Sequence, residues 1–109
     1  MKNKIIVRKM LGYCEKIQEY SDGLDYKTFI TSDMVIEACV FNLLQTGELI
    51  SRVEKEFIEN NKQIPWKSIR GLRHKLVHNY EGVNLELVWD IIVNDLPDLQ
   101  VSLKELLES

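Results

Sequence analysis

At 109 residues, 45% of them apolar and 28% charged, with only five Gly and two Pro, the chain has material for one packed core and is too apolar for a disordered tail. No run reaches the roughly 20 apolar residues that cross a bilayer, and the start MKNKIIVRKM lacks the long apolar stretch and small-residue cleavage site of an export signal. A single domain over residues 1–109, cytoplasmic and without a membrane partner, is therefore expected.

In chain order, Ile6, Met10, Tyr13, Ile17 and Tyr20 recur at three- and four-residue steps, which predicts an amphipathic helix over residues 4–20, closed by Ser21-Asp22-Gly23. A second helix is expected from Ser32, as N-cap, to about residue 59, with Ile36, Val40, Leu43, Gly47, Ile50, Val53 and Phe57 on one stripe. Unbroken, it would be on the order of 40 Å long, the spine of a bundle. Residues 60–63 break it, and Pro65 suits the first turn of a third helix carrying Trp66, Ile69, Leu72 and Leu76 toward Val77. Residues 79–82 read as a loop. Asn84 can cap a fourth helix with Leu85, Val88, Ile91 and Ile92 inward. Asp95 and Pro97 then either kink that helix or start a fifth with Leu99, Leu103 and Leu106. Strand alternation is nowhere sustained, so the expected fold is all-α, an up-and-down bundle of four to five helices.

Three features sit inside these elements. Gly47 falls on the apolar stripe of the long helix, where glycine costs about 1 kcal/mol relative to alanine; close approach of another helix explains it. Glu48 beside it reads as a solvated helix residue. Cys14 and Cys39 lack a C-x-x-C partner or a neighbouring His at ligand spacing and are expected to be reduced core thiols.

The net charge of −3 is unevenly spread. Residues 60–80 hold five basic side chains (Lys62, Lys67, Arg70, Arg73 and Lys75) and no acidic one, leaving nine basic against seventeen acidic elsewhere. A +5 segment on a −8 body can hold a polyanion at one place and repel it elsewhere; a solvated helix face would look the same.

Within that segment, Arg73-His74-Lys75-Leu76-Val77-His78-Asn79-Tyr80 places a guanidinium, two imidazoles and a phenol in eight residues. Arg grips phosphate through a planar fork, and His takes and gives a proton near neutral pH, so phosphate chemistry is the first expectation. His74 and His78, four apart, could share a helix face as metal ligands do. Lys75, however, stands where the metalloprotease signature H-E-x-x-H has its Glu, and no third ligand is evident, so no metal is expected. Taken singly, Arg73 also reads as a surface cation, His78 as a residue at a helix C-terminus and Tyr80 as a packing residue.

The spacing R-x-x-x-x-H-x-Y, filled by Arg73, His78 and Tyr80, resembles the motif of the HEPN superfamily, and specifically its HepT-like branch of toxin ribonucleases. Ile64-Pro65-Trp66, Ile69-Arg70-Gly71-Leu72-Arg73, Val88-Trp89, Asp95-Leu96-Pro97 and Gly47-Glu48 are similar to that branch as well. Where many members have Asn directly after the motif Arg, this chain has His74, which would either orient Arg73 or His78 or form part of an RNA-facing surface.

The resemblance implies a metal-independent endoribonuclease without cofactor, with Arg73 and His78 catalytic. Lys67, Arg70, His74 and Lys75 would then be RNA-binding. It further implies a toxin of a toxin–antitoxin pair, a homodimer whose two motif helices line one cleft, and a partner nucleotidyltransferase antitoxin that adenylylates Tyr80. The competing expectation is a non-catalytic HEPN module that holds a nucleotidyltransferase partner or a nucleotide. Trp66, Trp89 or Ile92 would supply exposed apolar surface for the dimer, unless they belong to the core.

Overall fold

The computed structural model describes residues 2–76 and 83–109, and among these every regular element is helical. α1 (Lys2–Ser21) buries Asn3, Ile6, Val7, Met10, Cys14, Ile17 and Ser21, a stripe at three- and four-residue steps. Tyr13 lies at the stripe's edge and Tyr20 is exposed. α2 (Tyr26–Phe29) is one turn, started by Asp25, whose carboxylate accepts the Thr28 N–H at 2.8 Å. That hydrogen bond also holds the Asp25 carboxyl below its ordinary pKa. α2 delivers Phe29, fully buried, and its ring lies 5.0 Å from that of Trp89.

α3 (Asp33–Leu49) packs along α1, and the two run in opposite directions: Asn3, at the start of α1, meets Glu54, just beyond the end of α3. Asp33–Arg52 is long and apolar enough to cross a bilayer by length and composition alone, though Glu37 and Glu48 interrupt its apolar residues. Its residues Cys39, Val40, Leu43, Leu49 and Ile50 are nevertheless buried within the bundle. Ser32 precedes α3 as expected but does not cap it, since its hydroxyl donates back to the Thr28 carbonyl at 3.0 Å.

The single long helix expected to about residue 59 is not formed. α3 tightens into a 3₁₀ turn over Ile50–Arg52, Val53 is extended (φ −82°, ψ 135°), and α4 (Lys55–Asn60) starts afresh. A contact from far along the chain holds this corner. Asn3 Nδ2 donates to Glu54 Oε1 at 2.7 Å, and Asn3 Oδ1 accepts the Glu54 N–H at 3.0 Å. This two-point clamp satisfies a backbone donor that the broken helix frees. Asn3→Ala is expected to cost about 1–3 kcal/mol, measured by chemical denaturation, with amide exchange accelerated first at residues 53–55.

α5 (Trp66–Arg70) and α6 (described over Leu72–Leu76) are the expected third helix, divided at Gly71. The Trp66 indole N–H donates to the Asn61 carbonyl at 2.9 Å, fixing the entry to α5. Gly47 is where α3 meets this pair: a Cβ there would lie 2.9 Å from the Ile69 carbonyl oxygen and 3.7 Å from Leu72 Cβ. The glycine thus serves close helix approach, as its place on the apolar stripe predicts, and Glu48 is exposed.

α7 (Leu85–Asp90) is capped by Asn84, whose side chain accepts the Leu87 N–H at 3.1 Å. Neither expected outcome at Asp95 and Pro97 is quite what occurs. The helical path widens into a π turn over Ile91–Asp95, closed by the Leu96 N–H on the Ile91 carbonyl, and continues as α8 (Leu96–Glu108) with Pro97 in its first turn. Proline has no N–H and crowds the preceding turn, and a wider turn accommodates both. α8 returns antiparallel along α1, its C-terminal Ser109 carbonyl accepting Lys4 Nζ at 2.9 Å. The all-α bundle is as expected, built from more and shorter helices than the sequence pattern suggests.

Cys14 and Cys39 are free and buried. Burial, with the Glu15 charge adding to it, pushes the Cys14 thiol up to about 12, and burial alone pushes Cys39 up to about 11, so both stay neutral thiols at physiological pH.

Candidate active site

The basic residues are displayed by an arrangement that hides their apolar neighbours. Trp66, Ile69, Leu72 and Leu76 are all buried, pinning α5 and α6 to α3. Lys67, Arg70, Arg73, His74 and Lys75 are left exposed on the same two short helices. Arg73, His74 and Lys75 follow one another in the described part of α6. No carboxylate lies within this stretch of sequence. The arrangement sets two guanidinium forks, two ammonium groups and one imidazole on neighbouring turns, a combination suited to a polyanion.

His78 and Tyr80 lie outside the described residues. Among the described residues, no group of three or more His, Cys, Asp or Glu side chains is placed to hold a metal ion.

Trp66 and Ile92 do not supply exposed apolar surface. Trp66 packs edge-on to Phe57 with ring centroids 6.2 Å apart, and Ile92 belongs to the core. Trp89 is half-buried against Phe29 and Tyr26. Periodicity had marked these positions as apolar without showing which neighbour covers them. Among the described residues, the large apolar side chains that do face solvent include Met34 (82% exposed) and Phe41 on α3, Val93 in the π turn and Val101 on α8, with Ile5 and Tyr20 on α1 and Ile30 after α2.

Beside the cationic helices is a cavity of about 420 Å³ that the sequence did not announce. Its apolar lining includes Leu43, Ile69, Leu72, Leu87, Ile91 and Leu99, drawn from α3, α5, α6, α7, the π turn and α8. Lys75 borders it from α6, and Asp95 and Asp98 border it from the start of α8. Asp95 was legible as a helix-boundary residue and as part of the family resemblance, not as a cavity residue.

The chain is thus an all-α bundle that exposes a run of cationic side chains on α5 and α6. It belongs to the HepT-like ribonuclease family: the family model described as "Ribonuclease HepT-like" matches residues 10–106. A Caldanaerobacter subterraneus subsp. tengcongensis protein named "Putative RNase TTE0752" is 35% identical over 99 residues, covering 91% of this chain and 88% of its own length. "Putative RNase MJ0127" of Methanocaldococcus jannaschii is 29% identical over 91% of this chain and 82% of its own. "Probable ribonuclease HepT" of Thermococcus cleftensis is 26% identical over 84% of each. No solved structure gives a significant match.

Proposed function

We propose that this protein is a metal-independent endoribonuclease toxin in which Arg73 and His78 carry the reaction. The observation that carries the reading is the family match across residues 10–106, a span that includes the motif residues and the exposed Arg73. RNA brings its own nucleophile, the 2′-hydroxyl beside the scissile phosphate, so the protein need supply only proton transfer and charge stabilisation. His78 takes the 2′-hydroxyl proton as the O2′–P bond forms, or returns a proton to the 5′-oxygen as the P–O5′ bond breaks. Arg73 holds the phosphorane oxygens while negative charge builds on them. The products are a 2′,3′-cyclic phosphate and a 5′-hydroxyl, and DNA is not cut.

One chain supplies one such imidazole. In a homodimer with two motif segments across a twofold axis, one His78 acts as base and its twin as acid. Lys67, Arg70, His74 and Lys75 draw the RNA backbone in. Adenylylation of Tyr80 by a partner nucleotidyltransferase antitoxin would set a phosphodiester anion and a bulky base two residues from His78, repelling and blocking incoming RNA.

The test is incubation of the purified protein, in excess chelator, with total RNA and with DNA of matching sequence, followed by end-group analysis and the same assay on His78→Ala. Cleavage of RNA alone to 2′,3′-cyclic ends, lost in His78→Ala, is expected. Intact RNA with a wild-type protein whose mass shows no adenylate would overturn the reading in favour of a non-catalytic module.

A further inference from the structure

We infer that the cavity between α5–α6 and α7–α8 is a base-reading subsite that takes a single unstacked guanine of the RNA; this rests on the ribonuclease reading above. The cavity's volume of about 420 Å³ lies within the range of roughly 300–1,000 Å³ common to small-ligand sites. Its walls at Leu72, Leu87, Ile91 and Leu99 offer flat apolar contact to the faces of a base.

Thr46, Gln63, Ser68 and Ser102 also line it, but each can both donate and accept and so does not discriminate; the charged groups decide which base. Asp95 and Asp98 are exposed carboxylates, able only to accept hydrogen bonds when ionised. Among the four bases, guanine alone presents two adjacent donors, N1–H and the N2 amino group, matching the two oxygens of one carboxylate. Adenine and cytosine pair a single amino donor with a neighbouring ring acceptor that a carboxylate repels. Uracil's one N–H lies between two carbonyls.

Lys75, the cation on the lining, comes from the other side, on α6. An ammonium there suits the O6 and N7 acceptors of guanine, or the phosphate of the same nucleotide. The carboxylates would repel a phosphate at their own end, so the nucleotide has one favourable orientation: base edge toward α8, acceptors and backbone toward α6.

The test is titration of the methyl-labelled protein with GMP, AMP, CMP and UMP, each separately, followed by NMR. GMP is expected to shift the methyl resonances of Leu72, Leu87, Ile91 and Leu99 and to bind at least about tenfold more tightly than the other three. Asp98→Asn, which replaces one charged acceptor on an exposed position by a neutral amide, should weaken GMP by about tenfold while leaving the spectrum of α8 otherwise unchanged. Should that variant perturb α8, Asp95→Asn serves the same purpose.

Equal binding of all four nucleotides, absence of shifts at the cavity methyls, or unchanged GMP affinity in the variants would overturn the inference. The titration is read without any cleavage, so it separates the two readings. RNA cut without GMP binding removes the subsite and keeps the ribonuclease, whereas GMP binding by a protein that leaves RNA intact does the reverse.

Discussion

Arg73→Ala is expected to lower RNA cleavage by about a hundred- to a thousandfold, measured under single-turnover conditions, while the thermal unfolding midpoint stays within a degree or so of wild type. The asymmetry follows from position. Arg73 is exposed on α6, and the buried neighbours Leu72 and Leu76 attach that helix to the bundle. On the proposed mechanism, removing the guanidinium takes away a grip on the phosphorane without opening a hole in the core. The loss should fall on the rate of the chemical step, because negative charge on the phosphorane oxygens reaches its maximum in the transition state. Arg73→Lys keeps the charge but loses the planar two-point fork, so its activity should fall between those of Ala and wild type. Equal rates for Arg73→Ala and wild type would remove Arg73 from the reaction.

Gly47→Val should act on the same activity from the opposite direction, through the fold. A β-carbon at residue 47 would sit 2.9 Å from the Ile69 carbonyl oxygen, and that oxygen belongs to backbone, not to a side chain free to swing away. The added branches force α5 and α6 off α3, at a cost of about 3 kcal/mol and a fall of about 10 °C or more in the unfolding midpoint. The displaced segment is the one that presents Arg70, Arg73, His74 and Lys75, so cleavage should fall with stability even below the melting range. Gly12→Ala is the internal control. No atom lies within 4 Å of where its Cβ would be, and alanine there should stabilise α1 by up to about 1 kcal/mol. Similar effects from the two substitutions would show that the α3–α5 contact is looser than described.

That contact also shows what could be read before any coordinates. Gly47 stood out because a glycine on an apolar helical stripe needs a reason, and the reason is Ile69. Trp66, Ile69, Leu72 and Leu76 were legible as one buried face because three- and four-residue spacing survives the turn at Gly71. Asn84 was legible as a cap because capping chemistry is local.

What was not legible depended on partners distant in sequence. The stripe through Ile50, Val53 and Phe57 continues past the corner at Val53, so nothing local reveals the break that Asn3 holds from 51 residues away. α2 is too short for periodicity to register, though Asp25 three residues before Thr28 was a usable cap signal. The cationic segment could be read from the absence of acidic residues over 60–80, but the cavity beside it could not, since its lining comes from seven elements.

The π turn at Ile91–Asp95 has a consequence for how this chain tolerates changes in length. Such a turn takes up one residue more than an ordinary α-helical turn while the residues before and after it keep their facing. Loss of a single residue at exposed Val93 or Asn94 would narrow the turn and take from Pro97 the room that the wider path gives it, but would leave Leu96, Leu103 and Leu106 still turned inward. The same loss in the middle of α1 would rotate every later side chain of that helix by about 100° and carry half its apolar stripe into water. The rod formed by α7 and α8 therefore contains one point at which its count of residues can drift by one without rewriting the core, and that point adjoins Asp95, at the border of the cavity.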